Sequence, residues 1–177
     1  MPSKRIIIIG GGFAGVKCAK TLARELSPNQ AEVVLFNREN HLVFSPLLAE
    51  VVGSSINPVD VIVPLRQLLP GVFCRMERVR GIYRETNEIE YDAEDGHPAR
   101  MSYDHLVLAC GNATNLNLVP GMADHTFPLK TFADCYRLRN HLVSVLEMAS
   151  IETNPEERRR LLTFVVAGGN YAGVEVA

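Results

Sequence analysis

Short apolar runs that end in glycine or other small residues recur along this chain, and they predict the strands of an α/β protein. The first run, residues 6–9, consists of four isoleucines, which are β-branched and too few for a stable helix. Comparable runs occupy residues 31–36, 104–113 and 161–167. Because such runs are apolar without alternation, they are typical of strands that are buried on both faces.

The first run continues into a turn that carries three glycines. Gly10, Gly12 and Gly15 stand at positions i, i+2 and i+5, and the helix-forming segment 16–23 follows. In a strand–turn–helix of this kind the first glycine lets the chain reverse. The second lets the backbone approach a pyrophosphate, and the third lets the helix pack closely on the strand. The helix N-terminus adds amide donors and partial positive charge, so the segment predicts a dinucleotide-binding turn.

The second run, residues 31–36, completes a βαβ unit, and Asn37 follows it. An acid usually stands at this place and accepts hydrogen bonds from the adenosine ribose. An asparagine can still bond a hydroxyl through its amide, but it does not repel a ribose phosphate as a carboxylate would. Glu39 is close enough to substitute for the acid, while the segment 38–40 is equally compatible with a solvated loop.

The middle of the chain predicts short helices and then a small antiparallel sheet. Pro46 suits the first turn of a helix in the apolar segment 41–53, and residues 59–69 predict a second short helix. Between about residues 72 and 103 the pattern alternates, which predicts a β-meander. The alternating stretches are residues 72–75, 79–84 and 88–91.

The third apolar run, residues 104–113, ends in small residues that include Ala109 and Gly111. Small side chains at the carboxyl end of a strand let a ligand approach the backbone, and open α/β sheets bind ligands at that end. An ordinary turn after a strand explains the same residues equally well.

The C-terminal third begins with a helix signal at Thr131, which suits an N-cap. The apolar positions of that helix recur at helical spacing and predict a core-facing stripe. They are Cys135, Leu138, Leu142, Val145 and Ala149. Residues 155–160, which mix acidic and basic side chains, predict a solvated helical turn.

The last run, residues 161–167, repeats the opening pattern of strand and glycine turn. Gly168 and Gly173 match the first and third glycines, while Asn170 stands where the middle glycine would meet a pyrophosphate. A side chain at that place is expected to obstruct or redirect the phosphates. The pattern of a following helix is not complete at Ala177, so we expect the front part of a longer protein with two such turns.

Composition narrows the range of functions. The net charge of −2 gives no electrostatic footprint for nucleic acid, and no apolar run approaches the roughly 18 residues that span a bilayer. The N-terminus lacks a signal-peptide pattern, so we expect a cytoplasmic chain.

The four cysteines are far apart, without a C-x-x-C pair or nearby histidines at ligand spacing. This predicts buried thiols and no metal site. No catalytic residue is identified by an acid–base constellation.

Five segments in register resemble the tandem flavoprotein oxidoreductases and, within them, the type II NADH dehydrogenases, which are single-chain NADH:quinone oxidoreductases. The segments are residues 9–15, 40–48, 103–111, 129–131 and 155–169. The resemblance implies an α/β, Rossmann-like FAD-binding three-layer fold with a small antiparallel β-meander, in a domain that spans residues 1–113. It implies that residues 114–177 contain a connecting segment, a helix and the start of a second, NAD(P)-binding Rossmann-like unit.

The resemblance also implies which residues bind the cofactors, with FAD on the first glycine turn and NAD(P)H on the second. The candidates for the FAD pyrophosphate are Gly10, Gly12, Phe13, Ala14 and Gly15. The candidates for the adenosine are Asn37 at the ribose, Arg38 next to it and the Val79 backbone at the adenine. The candidates by the flavin are Pro46 and Leu47, and those that approach the cofactor at the strand end are Ala109 and Gly111. Those for the nicotinamide cofactor are Gly168, Gly173 and Glu175. Asn37, Cys110 and Asn170 depart from the acid, threonine and glycine that are usual in the family.

The implied function is that of an FAD-dependent NAD(P)H oxidoreductase. Such an enzyme passes electrons by hydride transfer to the flavin and then to a quinone or another small acceptor. The resemblance also suggests a homodimer and peripheral association with the inner face of the cytoplasmic membrane, through segments outside this chain. Two alternatives stay open. One is a sulfide:quinone-type flavoprotein, which requires redox cysteines near the flavin, and the other is a flavin- or nucleotide-binding module without turnover.

Overall fold

The computed structural model describes residues 4–177. Its strands are β1 (Lys4–Ile9), β2 (Ala31–Phe36), β3 (His41–Val43), β4 (Ile62–Pro64), β5 (Phe73–Arg75), β6 (Val79–Tyr83), β7 (Glu88–Asp92), β8 (Pro98–Ser102) and β9 (His105–Leu108). Its α-helices are α1 (Phe13–Glu25), α2 (Leu48–Val52), α3 (Leu65–Leu68), α4 (Met122–His125), α5 (Phe132–Ile151), α6 (Pro155–Leu161) and α7 (Tyr171–Val176). Ser45–Leu47 and Pro58–Val61 form 3₁₀ turns.

A parallel sheet in the order β5-β2-β1-β9 is the centre of the fold. β1 pairs with β2 over its full length, from Lys4 opposite Ala31 to Ile9 opposite Phe36, and it pairs with β9 on its other side. Because the strands run in one direction, their carboxyl ends lie at the same edge, where open α/β sheets bind ligands. The predicted α/β, Rossmann-like fold class is confirmed.

Alternate residues of β1 face opposite layers. Ile8 is fully buried and packs with Ala19 of α1. Ile7 is also fully buried, and it packs with Ile89 and Tyr91 of the antiparallel sheet β6-β7-β8. Since both faces of β1 are covered, the strand needs consecutive apolar residues and not an alternating pattern. Helix, parallel sheet and meander therefore form the three layers that the resemblance implies.

The prediction that residues 72–75 open the meander is wrong. β5 joins the parallel sheet at its edge, with Val34 opposite Phe73 and Phe36 opposite Arg75. The antiparallel pairing begins only at Val79, opposite Tyr91. A stretch of three or four residues contains too few alternations to separate an edge strand of one sheet from the first strand of another.

The strand predicted in residues 104–113 forms, but it is not buried. β9 lies at the other edge of the parallel sheet and pairs with β1 on one side. Its last residue, Leu108, is 64% exposed. Its edge position, with a paired strand on one side only, accounts for this exposure.

Residues 59–69 do not form the single helix that the sequence predicts. They divide into the 3₁₀ turn Pro58–Val61, the strand β4 and the four-residue helix α3. Pro64 accounts for the division, because a residue that precedes proline is pushed towards extended backbone. Val63 is the residue affected, and it lies in β4.

A separate core brings α2 and α5 together. Leu48 and Val51 of α2 are buried with Cys135 of α5, whose Sγ lies 3.3 Å from the carbonyl oxygen of Leu48. α5 begins with a capping box, in which the Thr131 hydroxyl accepts from the Asp134 amide (3.1 Å) and the Asp134 carboxylate accepts from the Thr131 amide (2.9 Å). The predicted cap and the core-facing stripe are confirmed.

Residues 161–167 do not form the predicted strand. α6 extends to Leu161, and residues 163–169 have no regular structure. No strand within residues 4–177 pairs with this segment, and Val165 is 89% exposed. Apolar, β-branched residues become a stable strand only beside hydrogen-bonded neighbours. The second glycine turn nevertheless opens a helix, α7, which packs against α2.

The chain divides into two compact units. One unit contains the described residues up to Leu42 together with Val63–Asn112, and the other contains Val43–Ile62 together with Ala113–Ala177. The chain therefore leaves the first unit within β3 and returns to it within β4. The division of the sequence into domains 1–113 and 114–177 stays a prediction.

We expect Thr131→Ala to lower the free energy of unfolding by about 1 kcal/mol, because alanine cannot accept the Asp134 amide and α5 loses its cap. Thr131→Ser is the matched control, since it keeps the hydroxyl. Urea denaturation followed by circular dichroism measures both variants. Equal losses in the two variants would show that the hydroxyl does not cap α5.

Candidate dinucleotide-binding site

The turn between β1 and α1 brings backbone atoms together at distances that exclude side chains. Gly10 has a φ of +111°, and a Cβ on it would lie 2.2 Å from the carbonyl oxygen of Ala109. A Cβ on Gly15 would lie 1.8 Å from the carbonyl oxygen of Gly10. Glycine at these two positions is what lets α1 start directly against the ends of β1 and β9.

Gly12, the middle glycine, has open space at its Cβ position, whereas a Cβ on Gly10 or Gly15 would clash with backbone atoms. Its backbone is extended, with φ −80° and ψ −170°, and no atom lies within 4 Å of the position of a Cβ. As the N-cap residue of α1, it has no side chain with which to cap the helix. Phe13 and Ala14, in the first turn of this 13-residue helix, are exposed. The helix N-terminus is therefore suited to an anionic ligand.

The end of β9 lies against this turn. The Ala109 amide donates to the carbonyl oxygen of Ile9 (2.8 Å), which continues the pairing of β9 with β1. Gly111 has a φ of +66° and open space at its Cβ position. Cys110 between them is exposed, with its Sγ 3.6 Å from the Ile9 oxygen. The prediction that every cysteine is buried is thus wrong for Cys110, because this residue lies beyond the end of an edge strand.

Asn37 lies at the end of β2 and contacts the glycine turn. Its Oδ1 accepts a hydrogen bond from the Gly11 amide (2.9 Å), and its Nδ2 donates to the carbonyl oxygen of Glu39 (2.9 Å). Arg38, the next residue, is exposed. The expectation that Asn37 and Arg38 contact the adenosine stays a prediction. The hydrogen bond to Gly11 is a role that sequence reasoning missed.

A partly buried ion pair near the end of β2 also escaped the sequence analysis. Glu77 is 8% exposed and accepts two hydrogen bonds from the Arg75 guanidinium, one of them 2.9 Å long between Nη2 and Oε1. This hydrogen bonding raises the pKa of Arg75 above its ordinary value. The guanidinium also lies over the rings of Phe36 and Tyr91. The pair anchors the segment that leads to Val79, and the spacing of two between Arg75 and Glu77 is the signal that could have revealed it.

The remaining candidates belong to the second unit. Pro46 and Leu47 lie in the 3₁₀ turn Ser45–Leu47, which runs directly into α2. The prediction that Pro46 starts a helical segment is confirmed. Glu175 is exposed on α7. Because α7 packs against α2, Glu175 belongs to the same compact unit as Pro46 and Leu47.

The second glycine turn has the same backbone conformation as the first. Gly168 has a φ of +119°, and a Cβ on Gly173 would lie 2.2 Å from the carbonyl oxygen of Gly168. Asn170 has φ −80° and ψ 176°, close to the values of Gly12. Its Oδ1 accepts a hydrogen bond from the Gly173 amide (3.3 Å). Asparagine therefore fits the middle position without strain. Its side chain, however, takes up the hydrogen bond of the Gly173 amide, which is then not free for a ligand.

The chemistry of the other side chains is limited. Residues 4–177 contain no group of three or more histidine, cysteine, aspartate or glutamate side chains that could hold a metal ion. The four cysteines are free thiols. Burial raises the pKa of Cys74 and of Cys135, which favours their unreactive protonated form.

No helix within residues 4–177 has both the length and the apolar character needed to cross a membrane.

A parallel sheet with a glycine turn at the start of α1 defines the class of this protein, which is that of the Rossmann-type dinucleotide-binding proteins. The chain belongs to the pyridine nucleotide-disulphide oxidoreductase family, whose model matches residues 4–177.

Similar proteins show which members of this family the chain resembles. Demethylphylloquinone reductase NdbB of Synechocystis sp. is 32% identical over 178 residues, which are 98% of this chain and 42% of the relative. The type II NADH:quinone oxidoreductase NdhA of Mycobacterium tuberculosis is 32% identical over 186 residues, which are 98% of this chain and 36% of the relative. The likeness to type II NADH dehydrogenases is confirmed.

A solved structure of NDH2 from Plasmodium falciparum shares the fold. Its TM-score is 0.87 at 23% identity, over 98% of this chain and 36% of that structure. The chain thus spans about a third to two fifths of the length of the relatives it matches.

We expect Gly15→Ala to lower the free energy of unfolding by about 3 kcal/mol, because its Cβ would overlap the Gly10 carbonyl oxygen and force α1 away from β1. Gly12→Ala is the matched control and should change stability by less than about 0.5 kcal/mol, since the space at Gly12 is open. Thermal unfolding of the two variants measures this contrast. A Gly15→Ala variant as stable as Gly12→Ala would contradict the close approach of the two backbones.

Proposed function

We propose that this chain forms the FAD-binding part, and begins the NAD(P)H-binding part, of an FAD-dependent NAD(P)H oxidoreductase that reduces a quinone or another small acceptor. One observation carries the proposal. Gly12 leaves open space at the start of α1, next to the contact between the backbones of Gly10 and Ala109.

The names of the relatives support the reductant and the acceptor. NdbB is a demethylphylloquinone reductase, and NdhA is an NADH:quinone oxidoreductase. A second Plasmodium falciparum NDH2 structure, with a TM-score of 0.79, is a complex with NADH. Because this chain spans only about two fifths of such relatives, the reaction is proposed for the whole protein and not for residues 4–177 alone.

The first unit offers a fitting site for the adenosine diphosphate half of FAD. A pyrophosphate carries negative charge, which the amides and the dipole at the start of α1 stabilise. We propose that the pyrophosphate binds Gly10, Gly12, Phe13, Ala14 and Gly15. The proposed adenosine contacts are Arg38 and the Val79 backbone, and the proposed contacts at the strand end are Ala109 and Gly111. Asn37, which the resemblance implies at the ribose, contacts the glycine turn through the Gly11 amide.

The second unit would contribute to the flavin and to the nicotinamide cofactor. We propose that Pro46 and Leu47 lie beside the flavin. Gly168, Gly173 and Glu175 are the proposed contacts for NAD(P)H. In this arrangement residues 1–113 act as the FAD-binding domain, and residues 114–177 as the connection and the start of the NAD(P)-binding domain.

The contribution of this chain to the reaction is binding and orientation. A flavin held in this site would supply the hydride and electron transfer. The α1 amides would hold the charged pyrophosphate, and Gly12 would let the backbone approach it without a side chain between them. The close packing of Gly10, Gly15 and Ala109 keeps this geometry fixed. We assign no catalytic acid or base among the described residues, because binding and electrostatics are the protein's usual share in flavin chemistry.

Quinones dissolve in membranes, so we propose that the whole protein works as a peripheral protein on the inner face of the cytoplasmic membrane. The quinone specificity in the names of the relatives supports this location.

The thiols of this chain do not favour a sulfide:quinone-type reaction, which requires paired redox cysteines. The thiols of Cys74 and Cys135 are shifted by burial towards their protonated form, and Cys110 is exposed without a second cysteine paired to it in residues 4–177. The likeness to the sulfide:quinone oxidoreductase of Aquifex aeolicus, with a TM-score of 0.68 at 20% identity, shows the fold alone.

We expect the full-length protein to show flavin absorbance bands that bleach when NADH is added without oxygen and return with a quinone. Gly12→Val should abolish FAD retention, because the side chain fills the space for the pyrophosphate, while circular dichroism stays unchanged since that space is empty of protein atoms. A yellow protein that never bleaches would indicate a binding module without turnover. A Gly12→Val variant that retains FAD normally would contradict the assignment of the first turn.

For the second turn, we expect Asn170→Gly to lower the KM for NADH about fivefold, because it frees the Gly173 amide and removes the side chain that stands before the phosphates. Asn170→Ala is the matched control, since it frees the same amide but keeps a Cβ. Steady-state kinetics of the full-length enzyme measures both variants. An unchanged or higher KM in Asn170→Gly would show that Asn170 does not hinder the nicotinamide cofactor.

A further inference from the structure

We propose that Asn37 is a positioning residue, which acts on the dinucleotide by holding the Gly11 amide and the glycine turn in place, and not as a ligand of the adenosine ribose. This inference rests on the proposed binding of FAD at the first turn. It concerns a contact between two parts of the first unit that are 26 residues apart in the chain.

The hydrogen bonds of Asn37 join the glycine turn to the loop after β2. On one side its Oδ1 accepts from the Gly11 amide (2.9 Å), and on the other its Nδ2 donates to the Glu39 carbonyl oxygen (2.9 Å). Its backbone amide donates to the carbonyl oxygen of Arg75 (3.0 Å). Three segments of the unit therefore meet at one residue.

The side chain of Asn37 lies tightly against the turn. A Cβ on Gly11 would lie 2.8 Å from Asn37 Cγ and 2.9 Å from its Nδ2, and also 2.9 Å from Cδ1 of Leu65. Gly11 itself is buried and Asn37 is half-buried. The side-chain amide of Asn37 thus packs directly against the glycine turn at Gly11. This residue lies between Gly10, where a Cβ would clash, and Gly12, where the space for a Cβ is open.

An amide is required at this place because the two bonds have opposite polarity. The Gly11 amide needs an acceptor, and the Glu39 carbonyl oxygen needs a donor. A carboxylate would accept from the Gly11 amide, but it would place a negatively charged oxygen against the Glu39 carbonyl oxygen. The acid that βαβ units often use for the ribose would therefore weaken this turn.

The loop that presents Asn37 is itself anchored. The backbone amide of Asn37 donates to the carbonyl oxygen of Arg75. The Arg75 guanidinium is paired with the buried Glu77 and lies over the Phe36 ring. Phe36 is the residue before Asn37 and is almost fully buried. The position of Asn37 is thus fixed from the side of β5 and from the side of β2.

The decisive test compares Asn37→Asp, Asn37→Ala and the control Asn40→Asp in the full-length protein. Each protein is freed of flavin and titrated with FAD. If Asn37 positions the turn, Asn37→Asp and Asn37→Ala each weaken FAD binding about tenfold, while Asn40→Asp, which adds the same charge to the same loop, changes it less than twofold. If Asn37 instead binds the ribose, Asn37→Asp binds FAD as tightly as the wild type or more tightly, and the proposal is wrong.

A second ligand separates positioning from direct contact. FAD with 2′-deoxyadenosine lacks a hydroxyl that a ribose ligand would bind. If Asn37 acts through Gly11, the fold-losses from Asn37→Ala and from the deoxy ligand multiply, because they arise from independent contacts. A deoxy ligand that loses affinity in the wild type but not in Asn37→Ala would overturn the proposal.

Hydrogen exchange keeps the inference testable apart from FAD. In the flavin-free protein, Asn37→Ala should speed the exchange of the Gly11 amide at least tenfold, since its acceptor is gone, while the amides in the middle of β1 stay protected. Unchanged exchange at Gly11 would overturn the positioning role. A wild-type protein that shows this protection but takes up no FAD would refute the proposed function and leave the positioning role standing.

Discussion

The contact between the Gly15 backbone and the carbonyl oxygen of Gly10 is the constraint on which the first unit depends. It requires glycine at Gly15, where a Cβ would lie 1.8 Å from that oxygen, and it allows α1 to begin after only three residues beyond the end of β1. The helix then lies on one face of the parallel sheet, with Ala19 against Ile8. Its N-terminus consequently opens at the carboxyl edge of the sheet, where Ala109 follows the end of β9. The location of the candidate site thus follows from one backbone contact.

Much of this arrangement can be predicted from the sequence, because the constraints involved are local. Four isoleucines in a row require a strand covered on both faces, and the burial of Ile7 and Ile8 towards opposite layers satisfies that requirement. The glycine spacing fixes the turn, and Thr131 with Asp134 fixes the start of α5 through neighbouring atoms. In each case the pattern lies within a few consecutive residues and contains the information, although the residues that pack on Ile7, namely Ile89 and Tyr91, are distant in the chain.

The features that the sequence did not reveal depend on partners far away in the chain. Three residues of β5 become a parallel edge strand only because β2 is beside them, and residues 161–167 form no strand because no described strand pairs with them. The role of Asn37 depends on the Gly11 amide, 26 positions earlier. Glu77 has its partner Arg75 two residues away, but the rings of Phe36 and Tyr91, over which the Arg75 guanidinium lies, come from β2 and β7. Polarity along the chain does not report such contacts.

The two glycine turns show that the motif combines two physically different constraints. Gly10 and Gly168 have positive φ angles, and a Cβ on Gly15 or Gly173 would strike a backbone oxygen in either turn. The fold itself therefore demands glycine at the first and third positions. The middle position has an ordinary extended backbone in both turns, whether the residue is Gly12 or Asn170. Nothing in the fold requires glycine there, so a requirement for glycine at Gly12 would come only from the proposed ligand, whose pyrophosphate would approach the backbone. Asn170 meets the demands of the fold and adds an acceptor for the Gly173 amide, so the middle position is where the two turns differ in what they offer a dinucleotide.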